Sequence, residues 1–423
     1  MKPGAETTRV PYRWDWLPLA WRFLRTDQQL AHILHGGHLA YLNALWRDGA
    51  PLMVSGRHWP SPSVPLTDSR AIDNGYRPAN APGAGFERQP LVVGDVEAVR
   101  EQFRDIAVQE WWHLVAPGGY VLLRLAGRSG FGGRAVPSAE RALQLCAHGV
   151  VRFWKRLYLG RGELLLIQKQ ASVELGRAEE WSFGIISNGQ RAGWLQEAIA
   201  AIREQGIPRY EIILVGPRDR LPAEGKDLRV IDFTQHDDRG WISRKKNLVA
   251  EHARYENLAI LHDRIRLDPD WYTGMLAYGN AFWLLGVPIR SQAPQARTVD
   301  WVRFDGRRGL RRLAEIELLD YADWDPCVFI NGALLMAKRS CWLQIGLDER
   351  LFWQEDEDVW FSRAFIARGW LPRLNVLAAA WSKTFYPTRV SLQLLPDGGR
   401  RRVVIPWSRF SRTPQPLPSG AAS

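Results

Sequence analysis

Phe352–Gly369, FWQEDEDVWFSRAFIARG, decides how this chain is read. Four consecutive acids, Glu355, Asp356, Glu357 and Asp358, open a predicted helix. Trp360, Ala364 and Ala367 recur along it at helical spacing, as do Phe361 and Phe365, and Gly369 supplies the stop. Acids at a helix N-terminus are favoured by the macrodipole, so the bland alternative is a capped surface helix. Capping needs one or two acids, not four, and it leaves the aromatic approach Leu351-Phe352-Trp353 unexplained. Crowded like charges cost energy unless a cation, a substrate or a shared proton offsets them. The sharper expectation is a carboxylate cluster that takes a proton from an acceptor hydroxyl.

Bulk properties narrow the field around that stretch. A chain of 423 residues is long for one domain, and two are expected. Cys146, Cys327 and Cys341 form neither a disulfide framework nor a zinc pattern, which suits a reducing compartment. The N-terminal sequence lacks the order of a signal peptide. The apolar run Met275–Ile289 carries Asn280 and a proline and is too short to span a bilayer. Together these favour a cytoplasmic protein. A net charge of +11 calls for an anionic partner: a phosphorylated substrate, an anionic membrane face or nucleic acid. No helix-turn-helix, zinc-finger or RRM-type motif is present, so nucleic acid is not expected. The 21 tryptophans suit sugars, bases and membrane interfaces alike.

Upstream, residues 1–48 form a basic, aromatic arm in which Tyr12, Trp14, Trp16, Trp21 and Phe23 alternate with Arg9, Arg13, Arg22 and Arg25. Such a segment either lies on the inner membrane face as a peripheral contact or packs on the first domain. Residues 49–94 are rich in loop formers. A predicted helix with Val99, Phe103, Ile106, Trp111 and Leu114 on one face follows. Pro117-Gly118-Gly119 breaks it, strand Tyr120–Leu125 comes next, and strand Glu163–Gln170 follows a helical stretch and the aromatic-basic segment Phe153–Arg156. The words HLVAPGGYVLL (113–123) resemble the later half of class I S-adenosylmethionine (SAM)-dependent methyltransferases. That family holds its cofactor on a glycine-rich loop which is missing here, since His35-Gly36-Gly37-His38 lacks a strand-to-helix context. The expectation for residues 49–172 is therefore a truncated methyltransferase-like α/β domain without SAM, serving as scaffold or partner contact.

After a polar linker at 171–180, strand Phe183–Ser187, the turn Asn188-Gly189, a helix through Leu195 and Ile202, and strand Glu211–Gly216 make a βαβ unit, which demands a parallel sheet. Strands Leu228–Phe233 and Leu258–His262 follow, with a helix around Arg244–Ala253 between them. Ligands of such sheets bind at the strands' carboxyl ends, which points to Ser187–Gly189, Val215–Arg218 and His262–Arg264.

Three words then occur in order over roughly 200 residues: FGIISNGQRAGWLQEAI with EIILVG; AILHDRIRLDPDWY; and NGALLMAKRSCWLQIGLDERLFWQEDEDVWFSRAFIARGW. This set resembles GT-A fold glycosyltransferases of the large inverting family two. It implies a Rossmann-like α/β domain over 181–390, mostly parallel with flanking helices. It also implies an inverting sugar transfer from a nucleoside-diphosphate donor to a glycan or lipid-linked acceptor in surface-polysaccharide or glycoconjugate synthesis. By that resemblance Asp356 is the candidate base, with Glu355 the alternative; Asp358 orients the helix or binds acceptor. Ser187, Asn188, Gly216, Lys245, Lys246, Asn247, Asp263 and Arg264 are donor contacts. Trp301, Arg303, Gly332, Trp353 and Asp358 fall on the acceptor side. The family's DxD metal motif aligns with His262-Asp263-Arg264, which keeps only the central acid. Asp263 with His262 would hold a manganese or magnesium ion, or Arg264 would replace part of the metal's charge. Residues 290–326, rich in arginine and tryptophan, form an insertion on the acceptor side; residues 391–410 a closing hairpin; and 411–423 a disordered tail. Two alternatives stand beside this: a non-catalytic glycan- or phosphate-binding protein on a decayed transferase fold, and a bifunctional methyltransferase–glycosyltransferase.

Overall fold

A computed structural model describes residues 52–55, 89–96, 99, 101–125, 138–159, 162–173, 175–292, 296–304, 316–321, 323–385, 388, 390–395 and 399–404. The aromatic arm at 1–48, the arginines Arg307, Arg308, Arg311 and Arg312, and the tail at 411–423 lie outside the described residues.

The first unit comprises β1 (Leu52–Ser55), β2 (Gln89–Asp95), α1 (Arg104–Leu114), β3 (Val115–Leu125), α2 (Ala139–Leu145), β4 (Gly149–Leu159) and β5 (Gly162–Ser172). Its sheet runs β1-β2-β3-β5-β4, with β1, β2 and β3 mutually parallel and β5 antiparallel to both β3 and β4. Two local expectations change. The register jumps from Gln89↔Val115 to Leu91↔Tyr120, so Ala116–Gly119 form an excursion inside β3 rather than a gap between helix and strand. Gly118 takes φ +83 there, a conformation glycine adopts without steric cost. The aromatic-basic segment Phe153–Arg156 belongs to β4 itself, because it pairs along β5.

The second unit follows the predicted βαβ order. It contains β6 (Glu180–Ile186), α3 (Ala192–Arg203), β7 (Arg209–Gly216), β8 (Leu228–Asp232), α4 (Ile242–His252), β9 (Asn257–His262), β10 (Ile265–Leu267) and α5 (Trp271–Tyr278). There follow β11 (Leu284–Gly286), β12 (Ile289–Ser291), β13 (Ala296–Arg297), β14 (Trp301–Phe304), β15 (Ile316–Leu319), β16 (Val328–Ile330), β17 (Leu334–Lys338) and α6 (Arg339–Ile345). The chain closes with α7 (Glu357–Ala367), β18 (Pro372–Leu374), β19 (Ala380–Ser382), β20 (Val390–Leu394) and β21 (Arg400–Val404). The central sheet runs β18-β11-β17-β9-β6-β7-β8; its β6, β7, β8 and β9 are parallel, and β17 is antiparallel to β9. Strands buried on both faces need unbroken apolar sequence, and Phe183, Ile185, Ile212, Leu214, Ile260 and Leu261 are all inaccessible. Of the hairpin expected at 391–410, the described part is not a separate piece: β20 pairs with β21 and, in parallel, with β15, completing the sheet β16-β14-β15-β20-β21.

The expected division at 171–180 is likewise not a division of the core. One buried cluster runs from Val92, Trp111 and Trp112 of the first unit through Leu335 and Trp342 to Phe361, Phe365 and Leu371 of the second. Polar contacts cross the same joint. Gln109 Nε2 donates to the Gly369 carbonyl at 2.9 Å and Arg373 donates to Gln109 Oε1 at 2.7 Å. Arg373 also pairs with Glu110, both buried. Helix α1 thus braces the segment that follows the C-terminal end of α7, whose opposite end carries the acids.

Gly369 sits at the tightest point of that joint, with φ +77 and an imagined Cβ only 2.3 Å from the Gln144 carbonyl. Gly369→Ala combines an unfavourable left-handed backbone, of order 1–3 kcal/mol, with a backbone clash. It is expected to lower the unfolding free energy by at least that amount, read as a lower urea midpoint at an unchanged denaturant slope. An unshifted midpoint would show that the joint contributes little.

Candidate functional site

At the carboxyl ends of β6 and β9, Ile186 and His262 are register partners, so the residues just beyond them meet. Ser187 Oγ donates to Asp263 Oδ2 at 2.7 Å and accepts from Gly189 N at 3.0 Å, fixing the turn that follows β6. A cavity of about 410 Å³ opens there, within the range of small-ligand sites. Ser187, Asn188 and Arg191 form one wall, Asp237–Gly240 and Lys245 a second, His262–Arg264 the floor, and Trp353 with Gln354 the far side.

Helix α4 holds these walls together. Asn247 Oδ1 accepts from Leu347 N at 2.9 Å and Trp342 Nε1 at 3.0 Å, while its amide donates to the Leu347 carbonyl. Ser243 Oγ donates to the Leu351 carbonyl at 2.5 Å, and Trp241 Nε1 to the Glu349 carbonyl at 2.7 Å. The loop leading to the acids is therefore laced to the helix bearing Lys245. Trp353 N donates to the Gly240 carbonyl at 3.0 Å, closing the ring. Trp353 is 42% exposed, with Arg264 over its ring and His262 at its edge.

The acids divide by role. Helix α7 begins at Glu357, not at Glu355, because Gln354 (φ 68) and Asp356 (φ 60) are left-handed. Glu355 is exposed and accepts from Phe352 N at 2.9 Å, so it builds the loop. Asp356 occupies the N-cap yet makes no side-chain cap bond, which removes capping as its purpose. It is half-buried, and burial and the Glu357 charge raise its carboxyl above the usual range, with Arg363 opposing. Glu357 is buried and pairs with Lys246 Nζ at 2.8 Å, the lysine having no exposed surface. Asp358 Oδ2 accepts from Gly332 N at 2.6 Å; burial, then Glu357, push its carboxyl up against the pull of Lys246.

Several expected contacts fall elsewhere. Trp301 is wholly buried with its indole N–H on the Asp323 carbonyl, and Arg303 is held by Glu317 and Asp325; neither faces the cavity. The sequence resemblance put that insertion on the acceptor side, but Trp301 and Arg303 sit on β14, where strand pairing commits them to the sheet's own contacts. Asn247 and Lys246 are structural for the reasons above. Gly216 does not line the cavity: a Cβ there would lie 2.2 Å from the Ser187 carbonyl, so its role is close strand-end packing. Gly332 lies beneath α7, its N–H committed to Asp358. Ser187, Asn188, Lys245, His262, Asp263, Arg264 and Trp353 do converge. Sequence reasoning missed Arg191, Asp237, Asp238, Arg239 and Gln354. The polar run Thr234–Gly240 between strand and helix was the available signal for three of them.

The donor set does not match a resident divalent ion. Among the described residues no three His, Cys, Asp or Glu side chains group as ligands. Asp263 already accepts the Ser187 hydroxyl, and Arg264 stands where a second acid would be needed. His262 Nε2 is buried without a hydrogen-bond partner among the described residues. Its basicity is depressed by burial and then by the charges of Arg264, Lys246 and Arg191.

No family model matches the chain, and no curated protein does. Solved structures to which it is similar include S. aureus TarS 1–349, at 12% identity and TM-score 0.31 over 48% of this chain and 60% of that one. They also include the same TarS 1–349 in complex with UDP-GlcNAc, at 11% identity and TM-score 0.31 over 49% and 60%. A third is GalNAc-T7 with UDP, GalNAc and Mn2+, at 12% identity and TM-score 0.36 over 52% and 45%. The chain thus spans less than two thirds of each of these chains. Among the described residues no helix is long and apolar enough to cross a membrane.

Proposed function

We propose that this chain is an inverting glycosyltransferase that moves a sugar from a nucleoside-diphosphate donor to a glycan or lipid-linked acceptor. Surface-polysaccharide or glycoconjugate synthesis is the setting its sequence resemblance suggests. The observation that carries the proposal is one ring of contacts. The strand-end cavity and the loop of acids share Trp353 and Gln354 as a wall, and Trp353 N is tied to Gly240 on the cavity's other side. Donor and acceptor sites in such an enzyme must abut, because the reacting atoms meet at about 3–3.5 Å.

In this scheme the nucleotide lies along the ends of β6 and β7, with Ser187 and Asn188 at the ribose side. Its diphosphate faces Lys245 and Arg264. Asp356 takes the acceptor's hydroxyl proton as that oxygen bonds to the anomeric carbon. The bond to the diphosphate breaks with its electron pair leaving on the phosphate, so the configuration inverts. A carboxyl raised by burial and a neighbouring acid suits a general base. The first unit supplies scaffolding behind α7 without a SAM site. The cytoplasmic placement rests on the unpatterned cysteines, and the peripheral-membrane one on the +11 charge, which favours anionic surfaces.

Incubating the protein with UDP-, GDP-, dTDP- and CMP-sugars and measuring nucleotide release tests the proposal. One donor class should turn over slowly even with water as acceptor, and the released or transferred sugar should carry the inverted anomer by NMR. Binding of nucleotide without turnover of any donor, across added glycan acceptors, would instead favour a phosphate-binding protein on a decayed transferase fold, which the single acid of His262-Asp263-Arg264 makes the specific competitor.

A further inference from the structure

We infer that the strand-end cavity grips a diphosphate with cationic side chains and a histidine N–H, and that no divalent ion takes part in that grip. This rests on the nucleotide-sugar reading above and specifies how its site handles the leaving group.

Charge is the first ground. Arg191, Arg239, Lys245 and Arg264 line the cavity from four different segments, against Asp237, Asp238 and Asp263. Asp237 accepts from Lys245 Nζ at 2.6 Å, which anchors that ammonium at the wall, and Lys245 Nζ also reaches the Ser187 carbonyl at 3.3 Å. The Arg239 guanidinium lies over the Phe352 ring, its central carbon 3.6 Å from the ring centroid, which holds that charge at the cavity lining. Guanidinium groups match phosphate oxygens in a planar fork, and such charge-assisted bonds are the strong ones.

The second ground is independent of charge. His262 is more than nine-tenths buried, lines the cavity and leaves Nε2 without a partner among the described residues. A buried polar nitrogen left alone costs free energy, and a neutral imidazole carries one N–H that a phosphate oxygen would satisfy. The third ground is the ligand set at the same place. Asp237 is committed to Lys245, Asp263 accepts from Ser187, and among the described residues no three His, Cys, Asp or Glu side chains group as metal ligands.

The test is calorimetric titration of UDP, GDP, dTDP, CMP and inorganic pyrophosphate into the full chain, once in EDTA and once in excess manganese. One nucleotide should bind with equal affinity, within about threefold, in both. Arg264→Met should weaken it about tenfold or more, the size of a lost charged hydrogen bond, and Arg264→Lys should recover part of the loss. Asp263→Asn, which keeps a bond to Ser187 but removes the negative charge, should tighten binding. Circular dichroism of each variant checks folding. Nucleotide binding that needs manganese and is lost in Asp263→Asn overturns the inference and leaves the sugar-transfer proposal standing. Pyrophosphate binding in EDTA without binding of any nucleotide supports the inference and removes the nucleotide-sugar proposal. Binding of neither overturns both.

Discussion

Asparagine in place of Asp356 is expected to lower sugar transfer by about 10²–10⁴-fold, the usual contribution of a positioned base. Nucleotide affinity should stay within about threefold, because Asp356 is not among the cavity-lining side chains. The substitution is sterically mild, and asparagine tolerates the left-handed backbone at this position as well as aspartate does. A folding defect is therefore not the expected cause of the loss. Single-turnover rates for wild type, Asp356→Asn and Glu355→Gln settle the assignment. Should Glu355→Gln carry the large loss and Asp356→Asn almost none, the base is Glu355. Its bond to Phe352 N, which now marks it as a loop builder, would then be secondary.

Lys246→Met is expected to be the most destabilising single change near the site, by about 3–5 kcal/mol, because it leaves Glu357 buried without its counter-charge. The lysine has no exposed surface and Glu357 has 7%. Its loss also removes the cation that opposes the upward push on Asp358. The sign of the pH dependence follows. Asp358 has a native pKa above its unfolded one, so the folded state binds its proton more tightly. The contribution is fully favourable below the ordinary carboxylate range near 4 and is lost as pH rises through the elevated native value. Removing Lys246 raises that native value further. The destabilisation of Lys246→Met should therefore be largest near neutral and alkaline pH and shrink as pH falls toward 5. Chemical denaturation of both proteins at several pH values measures it. A constant difference between the two curves would mean that Lys246 acts through packing alone.

The four acids that these expectations touch sit side by side in sequence with the same carboxyl chemistry, yet have different fates. Glu355 folds a loop, Asp356 stands strained and half-buried, Glu357 is spent on a lysine, and Asp358 holds the Gly332 N–H. Nothing in EDED distinguishes them. What separates them is where α7 begins, set by the left-handed Gln354 and Asp356, and what packs beneath it, including a lysine 111 positions earlier in the chain.

The parallel core of the second unit is legible in local sequence, since β6, β7 and β9 are mostly apolar runs whose pattern needs no partner to be read. Ser187, His262, Asp263 and Arg264 follow strand ends and line one cavity, because strand ends in a parallel sheet gather on one side whatever the details of packing. The tertiary structure alone decided the rest. Trp301 and Arg303 look like surface recognition residues but are consumed by β14 and its neighbours, because burial depends on strand pairing across distant segments. Asn247, read as a donor contact, is a brace between α4 and the Leu347 loop for the same reason. The two expected domains share one core because Gln109, Glu110 and Arg373 meet across more than 260 residues of sequence, a closeness that no local period encodes.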